Sequence, residues 1–254
     1  MSVNSRSVVA CADGVVGKIL IEWISINFPN ALSLVVTISE NEIFQYCKAK
    51  EINVEALAGR PLGSSIQEKL RTQIDIGLLL WWPSIITASD INVAKEGFIN
   101  THPSLLPFHR GKNPNFWALK AGEPFGVSLH FLGQGIDDGD VVAQKEILYD
   151  WTDNAETLYR KSQEEIVNLF QKIFPFITEG SVTRHHQNLE EGNFHYAKEM
   201  VEASHLDLDN IQSIRDTLNI LRARTFSGYP SCWFHDEKGN EYEVRVSINR
   251  RPHR

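Results

Sequence analysis

The chain predicts an α/β fold: a Rossmann-like, doubly wound and mostly parallel sheet, followed by a small C-terminal appendage of one helix and a β-hairpin. Three observations predict it. Ser7 to Ala12 is a short apolar run rich in β-branched residues, closed by Asp13-Gly14 and followed by Val15, Val16, Ile19, Leu20, Trp23 and Ile24 at helical spacing; strand, glycine turn and helix open such folds. Asp75 to Trp82 is a continuous apolar run, as expected of a strand buried on both faces of a parallel sheet. From about Ser181 the pattern changes to a polar link, a helix, and a turn over Asp236 to Asn240 between two strand-like runs.

At 254 residues the chain holds one large domain with an appendage. The expected division is residues 1–180 and 181–254. Apolar residues at 42% and charged residues at 22% describe an ordinary globular protein. A net charge of −7 argues against a surface that coats nucleic acid, so no nucleic-acid partner is expected. No apolar run reaches the length of a membrane span, and Met1 to Arg6 lacks the features of a signal peptide. The expected location is the cytoplasm, with no membrane partner. Cys11, Cys47 and Cys232 form neither a disulfide framework nor a metal-ligand spacing and read as reduced thiols.

The first turn holds only Gly14-x-x-Gly17, which lacks the dinucleotide fingerprint. Leu32 to Thr37 reads as a strand, Asn41 to Lys50 as a helix, and Ser64 to Thr72 as a helix capped by Ser64 or Ser65. Pro83 ends the run from Asp75. In a strand from Gly97 to His102, Asn100 and His102 project to one side and Ile99 and Thr101 to the other. Pro103 keeps His102 out of helical geometry, so the amide and the imidazole stand together at the carboxyl end of the strand, where open α/β sheets place their ligands.

After a loop from Leu105 to Asn113, Pro114 opens a helix through Phe116, Trp117, Leu119 and Lys120, stopped by Gly122. Gly126 to Gly133 alternates Val127, Leu129 and Phe131 against Ser128, His130 and Leu132, a strand with one wetter face. Val141 to Leu148 is a further strand. A long helix follows, with Asp153 and Glu156 at capping-box spacing, and Pro175 is expected to end or kink it. Asp207 or Asp209 is the expected cap of a helix through Ile211, Ile214, Leu218 and Leu221. The hairpin pairs Trp233 to His235 with Tyr242 to Ile248.

Several segments together resemble a known family. Asn100-Thr101-His102-Pro103-Ser104-Leu105-Leu106-Pro107, then Arg110-Gly111, then Gly135-Ile136-Asp137-Asp138-Gly139-Asp140 stand in the order of the signature of formyltransferases that use N10-formyltetrahydrofolate. That family includes enzymes acting on glycinamide ribonucleotide, on methionyl-tRNA and on aminosugars. Leu221 to Pro230 contains R-A-x-T-F-x-G-Y-P, similar to a turn of the sugar N-formyltransferases, and the tail is too short in strands for the barrel carried by the tRNA enzymes.

Moving a formyl group to an amine requires attack on a carbonyl carbon, a tetrahedral oxyanion, and removal of a proton from the attacking nitrogen. An amide N–H suits the oxyanion, an imidazole suits the oxyanion or its proton, and a carboxylate orients the imidazole or takes the amine proton. The residues alone do not choose among Asp137, Asp138 and Asp140, which share one loop. The resemblance implies Asn100, His102 and Asp137 as the catalytic set. It also implies Trp82, Ser84, Ile85, Leu105, Gly133 and Gly135 at the folate, and Arg110, Lys112, Asn113, Arg222 and Tyr229 at the acceptor, with Arg110 and Lys112 equally suited to the folate tail.

His130 is either turned toward this site or a plain member of its strand face, and His109 reads as an exposed loop residue. His185-His186 lacks further ligands at a supporting spacing, so no metal is expected. The expected function is N-formylation of a nucleotide-linked aminodideoxysugar, dTDP-linked first of all, for a bacterial surface polysaccharide such as the O-antigen of lipopolysaccharide. The expected assembly is a homodimer. Formylation of glycinamide ribonucleotide or methionyl-tRNA, hydrolysis of formyltetrahydrofolate, and a binding role without turnover are the alternatives.

Overall fold

The computed structural model describes residues 6–70 and 74–252. The elements run β1 (Val8–Ala12), α1 (Gly14–Asn27), β2 (Leu32–Thr37), α2 (Glu42–Ala49), β3 (Val54–Ala56), α3 (Leu62–Lys69), β4 (Ile76–Leu80), α4 (Ala88–Ile91) and β5 (Phe98–His102). They continue with β6 (Arg110–Gly111), α5 (Pro114–Ala121), β7 (Gly126–Phe131), β8 (Val141–Glu146), α6 (Ala155–Glu179), β9 (Phe194–His195), α7 (Ala197–Ala203), α8 (Ile214–Ala223), β10 (Cys232–His235) and β11 (Glu241–Val244). The chain divides into two compact units: Met1–His102, Leu129–Ala143 and Ile166–Gln187 form the first, and Pro103–Ser128, Gln144–Glu165 and Asn188–Arg254 the second.

The sheet runs in the order β3-β2-β1-β4-β5-β7-β8, and β1 to β5 lie in the first unit with Leu129–Phe131 of β7 and Val141–Ala143 of β8. The pairs β1–β2, β1–β4, β2–β3 and β4–β5 are parallel. Every residue of β1 and β4 is buried, which is why these strands are continuously apolar instead of alternating. Gly77 of β4 pairs with Phe98 of β5, and a Cβ at Gly77 would run into the Phe98 ring. Among the described residues no helix is long and apolar enough to cross a membrane.

Several sequence expectations shift. Helix α3 begins at Leu62 with Pro61 at its cap, and Ser64 and Ser65 sit inside it with their hydroxyls bonded back to the Pro61 carbonyl; the end expected at Thr72 lies outside the described residues. The apolar run from Asp75 stops being strand at Leu80 because Trp81 takes a left-handed backbone, φ 57°. Strand β7 has no wet face: Ser128 and His130 are as buried as their apolar neighbours.

Asn154, not the Asp153 and Glu156 pair, caps α6 by accepting from the Thr157 N–H at 3.0 Å. That helix runs through Pro175 to Glu179. Ser213, not Asp207 or Asp209, caps the helix near the C-terminus, so that α8 starts at Ile214. Strand β3 and helices α4 and α7, too short for a periodic signal, were not foreseen.

In the second unit, Asn113 adopts φ 59° just before α5, and Gly122 ends that helix with φ 71°. Helices α5 and α8 lie against one another. Arg222 of α8 is buried, donating from Nη1 to the Asp150 carbonyl at 2.7 Å and from Nε to Asn219 Oδ1 at 3.0 Å. Its guanidinium also lies 4.6 Å from the centre of the Trp151 ring. The hairpin of β10 and β11 pairs Cys232 with Val244 and His235 with Glu241, and the Asp236 carboxylate closes its turn on the N–H groups of Lys238 and Asn240.

Candidate functional site

The site is built within the first unit, at the carboxyl end of β5. Phe98 and Ile99 anchor the strand in the core. The Thr101 hydroxyl donates to the Leu79 carbonyl at 3.0 Å and accepts the Trp81 N–H at 2.8 Å, tying the strand to the end of β4. Since side chains alternate along an extended chain, Asn100 and His102 share the opposite side. There His102 Nδ1 lies 3.6 Å from Asp137 Oδ2, and His130 Nε2 lies 3.5 Å from Asp137 Oδ1. Asn100 Nδ2 is 3.2 Å from the same His130 nitrogen. The two imidazoles meet edge to face with centroids 6.0 Å apart.

Asp137 reaches this position because its loop is tightly specified. Its backbone is left-handed, φ 52°, a conformation that aspartate accepts more readily than most residues. Asp138 Oδ2 accepts the Gly135 N–H at 2.8 Å, and a Cβ at Gly133 or Gly135 would run into the Asp138 carboxylate. Gln187 Nε2 donates to the carbonyls of Asp137 at 3.0 Å and Gly139 at 2.6 Å. Both glycines, expected as folate contacts, also leave the space that the Asp138 carboxylate occupies. Asp138 closes the turn while Asp137 points into the cluster, the separation that the residues alone did not provide.

A carboxylate withdrawn from water needs charge or hydrogen-bond partners, and His102 Nδ1 stands where such a partner is needed. One ligand atom from each of His102, His130 and Asp137 lies within 4.8 Å of the others, a spacing that would also suit a metal ion. His130 Nε2, however, is already engaged by the Asn100 amide.

The remaining expected residues fall in two groups. In the first unit Trp82 packs against the core cluster containing Leu79 and Phe98, with its indole Nε1 buried and unbonded, and Ser84 and Ile85 are exposed, Ile85 by 80%. Leu105, Arg110, Lys112, Asn113, Arg222 and Tyr229 belong to the second unit. There Leu105 lies over Gly126, where a Cβ would come within 3.1 Å of its side chain. Arg110 pairs with Phe194 through β6 and β9, Lys112 is exposed, and Tyr229 is exposed with its ring 5.0 Å from that of Phe226. Arg222 directs Nη1 and Nε into the fold, as described above.

His109 is not the exposed loop residue expected. It is buried, its backbone N–H bonds Asn193 Oδ1 at 2.6 Å, and its ring stacks 5.9 Å from that of His195. Burial, helped by repulsion from His195, pushes its pKa down to about 4. Gln187 was missed altogether: it lies in a polar link, and only its tertiary contacts reveal it.

The family described as formyl transferase matches residues 27–173, and the N-formyltransferase dimerization C-terminal domain matches residues 199–250. The dTDP-4-amino-4,6-dideoxyglucose formyltransferase of Mycobacterium tuberculosis is 30% identical over 150 residues, covering 59% of this chain and 64% of that protein. The match thus spans a little less than two thirds of the relative. A 4-N formyltransferase from Francisella tularensis superposes with a TM-score of 0.78 at 25% identity, over 96% of this chain and 98% of that one. The N-formyltransferase of Helicobacter canadensis, in complex with folinic acid and dTDP-3-aminofucose, superposes with a TM-score of 0.70 at 19% identity, over 92% and 84% of the two chains, a likeness of fold. The formyl transferase match covers more than half of the sequence, and this chain belongs to the formyl transferase family.

Proposed function

We propose that this protein transfers the formyl group of N10-formyltetrahydrofolate to the amine of a dTDP-linked aminodideoxysugar. The observation that carries the reading is the convergence of Asn100, His102 and Asp137 in one cluster, together with the dTDP-aminosugar enzyme among its relatives. The amine nitrogen attacks the formyl carbon, and the carbonyl electrons move onto oxygen. Asn100 donates an N–H to that oxygen, His102 stabilises it or carries its proton, and Asp137 takes the proton leaving the amine, directly or through water. Collapse of the intermediate breaks the bond to N10, the proton taken from the amine is passed on to N10, directly or through water, and tetrahydrofolate leaves.

Residues 1–180 supply this chemistry in our reading, and residues 181–254 are an extension through which two copies associate, as the description of the C-terminal match suggests. Trp82, Ser84, Ile85, Leu105, Gly133 and Gly135 are assigned to the folate, and Arg110, Lys112, Asn113, Arg222 and Tyr229 to the acceptor. The enzyme works in the cytoplasm without a metal and supplies a bacterial surface polysaccharide.

The test is a panel: purified protein and N10-formyltetrahydrofolate with dTDP-, UDP- and GDP-linked aminosugars, glycinamide ribonucleotide and methionyl-tRNA, read by mass. A gain of one formyl group on a dTDP-aminosugar is the expected result. Formylation of a non-sugar acceptor alone, or release of formate without an acceptor, would refute the reading. Chelation with EDTA is expected to leave turnover unchanged.

A further inference from the structure

We infer that His130 is a positioning residue whose tautomer decides which end of the Asn100 carboxamide faces the reacting carbon; the inference rests on the formyl-transfer reading above. The His130 ring is fully buried. Its Nδ1 lies 2.8 Å from the Phe131 carbonyl oxygen. A backbone carbonyl has no proton to give, so Nδ1 carries the ring hydrogen. With the ring neutral, a state that the nitrogen spectra below read directly, this is its one hydrogen, and Nε2 presents a lone pair.

The neighbour of that lone pair is Asn100, 3.2 Å away. An amide oxygen there would set two lone pairs against each other, so Asn100 must offer its nitrogen. One hydrogen of that nitrogen goes to His130. The other projects at about 120° to it, because the amide nitrogen is planar with two N–H bonds. The donor needed by a formyl oxyanion is therefore supplied by Asn100 and aimed by His130. The groups facing the ring are Asn100 and His102 from β5 and Asp137 from its loop. Asp137 Oδ1, 3.5 Å from Nε2, favours a hydrogen on that nitrogen, and the Phe131 carbonyl opposes it by holding the hydrogen on Nδ1.

Two measurements test this. Two-bond ¹H–¹⁵N spectra of histidine-labelled protein at neutral pH should show His130 as the Nδ1–H tautomer, identified by loss of its signals in His130→Gln. The Nε2–H tautomer would overturn the inference, and this readout needs no turnover, so it judges His130 even if the wild-type protein formylates none of the acceptors and the functional reading fails. In the transfer assay with N10-formyltetrahydrofolate and dTDP-4-amino-4,6-dideoxyglucose, His130→Leu should lower kcat about 100-fold, the scale of losing one aimed oxyanion donor, with both KM values nearly unchanged. His130→Gln, whose Oε1 can accept the same Asn100 hydrogen, should recover most of that loss. A His130→Leu enzyme with wild-type kcat, or equal losses in the two variants, would sink the idea. Where His130→Leu does not fold, the tautomer and the retained kcat of His130→Gln decide.

Discussion

His102 Nδ1 faces Asp137 Oδ2 across 3.6 Å, with the two side chains only 8% and 11% exposed. The imidazole comes from the end of a strand and the carboxylate from a loop 35 positions later in the chain (137 − 102). That pairing defines the site, and its removal is the first expectation to check. His102→Ala and Asp137→Asn should each lower kcat by about 10²- to 10⁴-fold, the range for a positioned acid or base. Circular dichroism and thermal unfolding should stay near wild type, since neither group builds the core. Near-normal turnover in either variant would remove its assigned role.

Gln187 holds the Asp137 loop by two carbonyls at once. Gln187→Ala should destabilise the protein by about 1–3 kcal/mol, the cost of leaving buried acceptors unmade. It should also lower kcat, because the loop aims Asp137. Urea midpoints and steady-state rates check both effects, and a variant as stable and active as wild type would show the loop to be held by other means.

Gly133 leaves room for the Asp138 carboxylate. Gly133→Ala displaces the Asp138 carboxylate, which holds the Gly135 N–H and so the turn of the loop, at a cost of about 1–3 kcal/mol. Gly239→Ala is the control for glycine replacement in a turn without crowding: no atom lies within 4 Å of the added methyl, though its φ of 81° is itself unfavourable for alanine. Denaturation midpoints decide. The crowding argument fails if kcat is unchanged in Gly133→Ala, since a displaced loop must move Asp137.

His109 makes stability fall in acid. The unfolded ring takes up its proton near pH 6.5, whereas the buried ring does so only near pH 4. Between those values the unfolded state binds more protons, so stability declines as pH drops from 6.5 and levels off below about 4. The loss is on the order of 3 kcal/mol. Glu123 Oε2, 3.2 Å from Nε2, acts in the opposite direction and makes this an upper figure. His109→Phe should flatten that part of the stability profile, measured by urea unfolding between pH 4 and 7; an unchanged slope would contradict the assignment.

Much of this protein was legible from the letters. Runs such as Leu32–Thr37 and the strand ending at His102 are set by burial and by two-residue alternation, which are local properties; the first appears as read, and the second starts one residue later than the expected Gly97. Pro114 and Gly122 bracket α5 as expected, because a fixed φ and a left-handed cap are properties of those residue types. Errors concentrated where capping choices are nearly degenerate: Ser64, Asp153 and Asp207 are all sound caps, but the helices start where the neighbouring packing places them.

The sequence by itself determined the fold class, the family, and the presence of an amide and an imidazole together on one strand, because these depend on patterns within short stretches of chain. Only the tertiary structure decided that Asp137, not Asp138, turns inward, that Gln187 pins its loop, and that His130 is wedged between Asn100 and Asp137. Those outcomes depend on which distant backbone carbonyls and rings a side chain meets, and a linear pattern carries no such distances.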